Sequence, residues 1–284
     1  MRAARSATRG RPASRAGAGR CARPALALAL LAACGGEPER APLPVDPPNL
    51  FVVLIDTLRP DRLGLFGYGL DTAPYLTALG WRSVVFTRAY STSSWTPPAT
   101  ASVFTGLDPT RHGVIEGLLA HRRRTGRGDA ARTLDLNAMP EELPTLPELF
   151  RARGYRTFGF AANPNVDAPM GFARGFDHFE CLPDADADEL CAAVLARESE
   201  LAAGRPSLLY LHYMDPHVPL EGRPPWYEPG EDPLADRIAR YDSEVRFLDG
   251  LLERHHRRLG WDRSTAVLFV TDHGEGCDVP GRRS

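Results

Sequence analysis

At 284 residues, 43% hydrophobic and 25% charged, the chain can bury a sizeable core, and its length suits one large α/β domain better than two small ones. Every base is an arginine, which excludes a lysine Schiff base or a lysine phosphate clamp. Seven of the 34 bases fall in the first 33 residues, where there is no acid, leaving 27 against 36 acids from residue 34 onward; that acidic balance argues against nucleic acid as a partner.

The chain opens with an Arg-rich region leading into PALALALLAAC, whose apolar run from Ala25 to Ala33 is too short to span a bilayer as a helix. Its ending, Leu31-Ala32-Ala33-Cys34, resembles the lipobox of bacterial lipoproteins, in which the cysteine is acylated and becomes the new N-terminus. Residues 1–33 are therefore expected to be a signal peptide and residues 34–48, GGEPERAPLPVDPP after Cys34, a Pro-rich tether. The expectation is an exported protein, lipid-anchored at the bacterial cell envelope in the periplasm or at the outer membrane, touching the membrane only through a lipid on Cys34. Residues 49–284 remain for the folded domain.

NLFVVLID is a continuous β-rich apolar run that stops at Asp56, the pattern of a strand buried on both faces of a parallel sheet. Three later segments behave alike. YRTFGFAAN ends at Asn163, SLLYLHYMDPH runs out into Asp215 and His217, and STAVLFVTDHGEG ends in Asp272, His273 and Glu275. Helical stretches lie between them: residues 145–153 with a cap at Thr145, residues 186–203, and residues 233–259. Strands alternating with helices predict an α/β fold, a mostly parallel sheet sandwiched by helices. In such sheets the ligand crevice lies beyond the carboxyl ends of the strands, so these polar strand ends aim at one place, with Asn163 and Asp215 on the substrate side.

The stretch SSWTPPATASVFTG adds a short helix: Thr96 is an N-cap type, Pro97 suits the first helical position, and Gly106 supplies the left-handed stop. A helix N-terminus favours an anion, which puts the Thr96 hydroxyl where a sulfate or phosphate would settle. An unassisted alcohol is a poor nucleophile at neutral pH, and a divalent metal remedies this by stabilising the alkoxide. Asp56, Asp272 and His273 are donors suited to such an ion. His212, inside an apolar strand, reads as a hydrogen-bonded core histidine, and Arg111 and His112 read as structural. Arg122, Arg123 and Arg124 read as a solvated loop face, and His255 and His256 as side chains stabilised by a helix C-terminus. Cys181 and Cys191 flank an acidic loop where a local disulfide is possible, and no cysteine pair has zinc-ligand spacing.

The ordered set NLFVVLIDTLRPDRLGLFGYG, SSWTPPATASVFTGLDPTRHG, LHYMDPHVPL and VLFVTDHGEG, from Asn49 to Glu275, resembles the sulfatase family of the alkaline phosphatase superfamily. The resemblance implies an alkaline-phosphatase/sulfatase-like fold and one divalent metal ion, Ca, Mg, Mn or Zn. It makes Asp56 a metal ligand, with Thr57 where many sulfatases have a second Asp, and Asp272 and His273 the late metal pair. Thr96 falls at the nucleophile and metal position, and His217 matches a histidine that contacts substrate or protonates the leaving oxygen. The sulfatase signature is Cys or Ser, any residue, Pro, any residue, Arg; here it reads Thr96-Pro97-Pro98-Ala99-Thr100, which cannot become formylglycine and lacks the arginine. Relatives with threonine at this place include phosphoethanolamine transferases and lipoteichoic acid synthases, which pass through a phosphothreonine. The chain ends nine residues after Glu275, short of the smaller C-terminal subdomain the resemblance implies, so the domain is expected to be incomplete. The function expected is metal-dependent hydrolysis of an anionic ester, whether a sulfated glycan, an aryl sulfate or a phosphoester. The alternatives are phosphoethanolamine- or glycerophosphate-type transfer and an inactive surface remnant that binds metal or glycan.

Overall fold

In the structure, a computed structural model, residues 47–117, 138–202, 206–260 and 264–276 are described. The signal peptide, Cys34, nearly all of the tether, Arg122 to Arg124 and Cys277 lie outside the described residues.

The apolar runs become strands of one parallel sheet: β1 (Asn49–Ile55), β2 (Arg156–Ala161), β3 (His178–Cys181), β4 (Ser207–Tyr213) and β5 (Thr265–Val270), in the order β3-β2-β4-β1-β5. β1 and β4 are central, and from Phe51 to Ile55 and from Ser207 to Tyr213 every residue is buried. β3 was not anticipated, because HFEC is too short and too polar to stand out as an apolar run. β5 departs from the expectation of burial on both faces: it is an edge strand, and Leu268 is 44% exposed.

Alternating strand residues feed two cores. Phe51, Val53, Ile55, Phe158, Phe160, Leu209 and Leu211 pack on one face against Leu190, Val194, Val245, Leu248 and Leu252. Val52, Leu54, Leu208 and Tyr210 pack on the other against Ala101, Phe104, Met170 and Phe172. Helices therefore cover both faces. They are α1 (Pro74–Gly80), α2 (Thr96–Thr105), α3 (Pro109–His112), α4 (Leu146–Arg151), α5 (Ala187–Leu195), α6 (Glu198–Leu201) and α7 (Pro233–Leu259). Phe104 anchors α2 by edge-on ring contacts with Phe172 at 5.3 Å and Tyr210 at 4.9 Å. Phe104→Ala is expected to cost about 3–5 kcal/mol in a urea unfolding titration, the range for emptying a buried aromatic site.

Local signals set the helix ends. Thr145 and Glu148 form a reciprocal capping box on α4, Asp186 and Glu189 form another on α5, and Asp232 caps α7 by accepting from Leu234 N and Ala235 N. The helix expected over residues 186–203 is split into α5 and α6. Positions 197 and 198, where the Leu190–Val194 stripe would next turn inward, are Arg and Glu, and the helix breaks at Ala196 and Arg197 before Leu201 returns to the core. The disulfide also does not form: Cys181 and Cys191 are free, and burial pushes their thiols up to about 12 and about 11, which keeps them unreactive. His255 is not a cation at a helix end but a core residue, 2.7 Å from Tyr213 Oη through Nδ1 and held down to about 4 by burial.

Candidate active site

The parallel sheet brings Asp56, Asn163, His212 and Asp272 to its carboxyl edge. Asp56 follows β1, and its N–H donates to the Tyr213 carbonyl at 2.9 Å, so the ladder fixes its backbone. In the register Leu54 faces His212, and side chains two residues apart share a face, so Asp56 and His212 project to the same side. His212 Nε2 lies 3.0 Å from Asp56 Oδ2, with both side chains fully buried. The sequence reading of His212 as a buried, hydrogen-bonded residue was right about its surroundings but missed that its partner is the site aspartate. Parity along β4 was the available signal, and it becomes informative only once the register with β1 is known.

The two carboxylates are held differently. Asp56 Oδ2 accepts from Asn163 Nδ2 at 2.8 Å and from Thr96 Oγ1 at 3.3 Å. Asp272 Oδ1 accepts from Thr57 N at 3.1 Å and His273 N at 2.8 Å. Their other oxygens, Asp56 Oδ1 and Asp272 Oδ2, are buried and accept no hydrogen bond among the described residues. Both face His273 Nε2, at 3.8 and 3.5 Å. Burial works to push the Asp56 carboxyl up, but the hydrogen bond and charge of His212, helped by His217 and His273, hold it below the ordinary value. Asp272 is raised, first by burial and then by the charge of Asp56. Two buried carboxylates with opposed shifts and two unsatisfied oxygens fit a cation. Asp56, His212 and Asp272 can each offer one ligand atom, all within 4.8 Å of one another. With its proton on Nδ1, donated to Tyr210 Oη 2.9 Å away, His212 would present an Nε2 lone pair to that cation. Mixed oxygen and imidazole donors suit a transition-type divalent ion better than calcium, which prefers oxygen throughout.

Thr96 differs from expectation in a way that matters for chemistry. It is the first residue of α2, with Trp95 at the cap position, and no side chain caps the helix. Its hydroxyl is instead 3.3 Å from Asp56 Oδ2, 3.3 Å from His273 Nε2 and 3.5 Å from Asn163 Nδ2. The helix end is also poorer in donors than expected. Pro97 and Pro98 have no N–H, Ala99 N donates to Trp95 O and Trp95 N to Ser93 Oγ, so of the first amides only that of Thr96 remains for an anion. This helix end therefore offers an anion few backbone donors.

Around this cluster the other expected residues take distinct places. Asn163 Oδ1 accepts from Asn165 N at 2.9 Å, which orients its amide nitrogen toward Asp56. His217 is partly buried, and its Nδ1 lies 2.6 Å from the Val218 carbonyl; that bond requires the proton on Nδ1 and leaves Nε2 out of it. His112 bridges α2 and α3 through Ser102 Oγ at 3.1 Å, in keeping with a structural role. A cleft of about 480 Å³, lined by Ser91, Thr92, Ser93, Ser94, His273 and Gly274, gives access from solvent to His273 beside the buried threonine.

Asp215 turns away from the cluster. Its Oδ1 accepts from Ala187 N at 3.1 Å, at the start of α5, and lies 4.0 Å from Arg223. Burial pushes this carboxyl up to about 7, with the charge of Glu244 adding to the effect and the Ala187 N–H and Arg223 opposing it. The folded protein thus retains a proton that the unfolded chain releases near 3.8, so stability falls as pH rises from about 4 to about 7. The full difference is about 4 kcal/mol. Asp215→Asn keeps an acceptor for Ala187 N–H without the charge, and its thermal midpoint is expected to exceed the parent's by a margin that grows from pH 5 to pH 8. A margin independent of pH would show that the folded state does not hold the proton.

A family model described as Sulfatase matches residues 48–283. The ulvan-active sulfatase of Formosa agariphila is 25% identical over 277 residues, covering 80% of this chain and 50% of its own. A putative sulfatase structure from Bacteroides thetaiotaomicron superposes with a TM-score of 0.60 at 20% identity, over 81% of this chain and 59% of that one. The C-terminal periplasmic domain of the phosphoethanolamine transferase EptC from Campylobacter jejuni gives 0.59 at 17% identity, over 81% and 70%. The chain spans between 20% and 50% of the length of the curated relatives it matches.

Proposed function

Because this chain belongs to the sulfatase family, we propose that it cleaves anionic esters by in-line attack of Thr96 Oγ1, with phosphoesters rather than sulfuric esters as the expected chemistry. The observation that carries this reading is the Thr96 hydroxyl itself: buried, released from capping, and 3.3 Å from both Asp56 Oδ2 and His273 Nε2. Threonine cannot be converted to formylglycine, whereas its hydroxyl can take a phosphoryl group directly.

Asp56, Asp272, His273 and His212 would hold the cation, Thr96 facing it. When bound, such an ion lowers the pKa of an adjacent hydroxyl and draws charge from the ester oxygens. Asp56 Oδ2 accepts the Thr96 hydrogen bond and so orients an Oγ1 lone pair outward. Asn163 Nδ2 holds that carboxylate in place. The Oγ1–phosphorus bond forms as the bond to the leaving oxygen breaks, the Oγ1 proton passing to Asp56 Oδ2, 3.3 Å away, while His217 Nε2 gives its proton to the leaving oxygen. Water then attacks the phosphothreonine, giving a proton to His217 Nε2 as the Oγ1–phosphorus bond breaks, and Oγ1 takes its proton back from Asp56 Oδ2 as phosphate leaves.

The threonine and the EptC neighbour support a second reading, in which an acceptor alcohol replaces water in the last step. The Arg-rich leader and the Leu31–Cys34 motif support export with a lipid on Cys34, and among the described residues no helix is long and apolar enough to cross a membrane. The test is turnover of 4-nitrophenyl sulfate, 4-nitrophenyl phosphate and bis(4-nitrophenyl) phosphate by the full chain, loaded with Zn²⁺ or Mn²⁺, beside Thr96→Ala. Cleavage of the sulfate alone would overturn the phosphoester preference.

A further inference from the structure

Thr57 is the weak point of the cluster. It has φ of 56°, a left-handed conformation that a β-branched side chain adopts only under strain, and its buried Oγ1 has no hydrogen-bond partner among the described residues. Yet its N–H is one of the two amides that orient Asp272 Oδ1, so the direction in which Asp272 Oδ2 points depends on this strained residue staying put. Something has to hold the turn.

The fully buried Tyr241, on α7, meets that need. Its hydroxyl donates to the Thr57 carbonyl at 2.9 Å and accepts from Arg59 N at 2.8 Å, spanning the turn from one side to the other. Its donor and one acceptor site are both spent on backbone atoms within three residues of Asp56. One turn further along the same helix, Glu244 accepts from Glu221 N at 2.9 Å and Arg223 Nε at 2.7 Å, tethering the segment that follows His217. α7 is a continuous helix of 27 residues packed along the core, so both attachments are made to one rigid element. We infer that Tyr241 is a positioning residue: its hydroxyl locks Thr57 in the left-handed turn and thereby aims the Asp56 and Asp272 carboxylates at the cation position.

The inference rests on the metal reading above for its consequence, but the lock itself can be tested without metal. Tyr241→Phe keeps the ring in the core and removes only the hydroxyl. In the full chain without metal, amide hydrogen exchange over Thr57 to Arg59 should accelerate at least tenfold. In calorimetric titration with Mn²⁺ or Zn²⁺, the dissociation constant should rise about 10- to 100-fold, as for loss of an outer-shell partner. Thr57→Gly relieves the backbone strain while keeping the amide, so the double variant Thr57→Gly/Tyr241→Phe should regain at least tenfold in affinity. Unchanged exchange in Tyr241→Phe overturns the proposal, because a tyrosine that only fills the core would move nothing at Thr57. If Tyr241→Phe does not fold, the double variant should; a double variant equally unfolded also overturns it. A parent chain that binds neither ion would refute the metal reading and leave the exchange rates to decide the lock.

Discussion

Thr96→Ala is expected to abolish ester cleavage, lowering turnover by about 10⁴-fold or more, the loss seen when a nucleophile is removed from a site whose remaining groups act only through it. The substitution should leave the protein otherwise intact. Thr96 caps nothing, and its hydroxyl meets Asp56, His273 and Asn163 side chains, so the unfolding midpoint should move by no more than about 1 kcal/mol equivalent. Asp56 loses one of three hydrogen-bonded neighbours and keeps Asn163 and His212. Metal content should therefore persist. Thr96→Ser, which retains the oxygen, should keep measurable activity and so separate loss of the nucleophile from loss of shape. Turnover by Thr96→Ala within tenfold of the parent would end the nucleophile assignment, because Thr96 Oγ1 is the hydroxyl placed 3.3 Å from both Asp56 Oδ2 and His273 Nε2.

Asp272→Asn should have opposite effects with and without metal. Asn retains an oxygen to accept from Thr57 N and His273 N, while the negative charge that repels Asp56 disappears. In chelator, the variant is expected to be at least as stable as the parent, since burying one carboxylate fewer costs less. With added Mn²⁺ or Zn²⁺ at about 100 times its dissociation constant, the parent should gain about 2.7 kcal/mol, and Asp272→Asn should gain almost nothing. Activity should fall with the lost metal response. Thermal unfolding in chelator and in metal, for both proteins, checks both signs together. An equal metal-induced shift in parent and variant would place the ion elsewhere.

The two experiments bear on different parts of one arrangement. In the proposed mechanism Thr96 supplies the attacking oxygen and the carboxylates hold the cation that activates it, so either loss alone should silence the site. Tyr241 acts one step back, on the turn that carries Asp56 and Thr57. Its removal should grade the metal response rather than erase it, and for that reason exchange at Thr57 is the cleaner measurement.

How much of this was legible beforehand depends on the range of the interaction involved. Apolar runs specify strands because burial on both faces of a parallel sheet demands them, and NLFVVLID, YRTFGFAAN and SLLYLHYM announced themselves in that way. The edge position of β5 was not visible, because an edge and a central strand can share one apolar pattern and only neighbours decide which is which. Caps that depend on residues three apart, Thr145 with Glu148 and Asp186 with Glu189, are local, although the break at Ala196 and Arg197 had to be seen against the core.

By itself the sequence determined that Asp56, Asn163 and Asp272 end strands and that a hydroxyl begins a helix, since secondary structure and its punctuation follow from near neighbours. The tertiary structure alone decided that His212 joins Asp56, that Thr96 leaves its helix uncapped to face His273, and that Cys181 and Cys191 stay apart. It also decided that a tyrosine some 180 residues from Thr57 holds the turn. Each of these depends on register, on side-chain parity or on one backbone dihedral. Such quantities are fixed by packing between segments far apart in the chain, and no local pattern carries them.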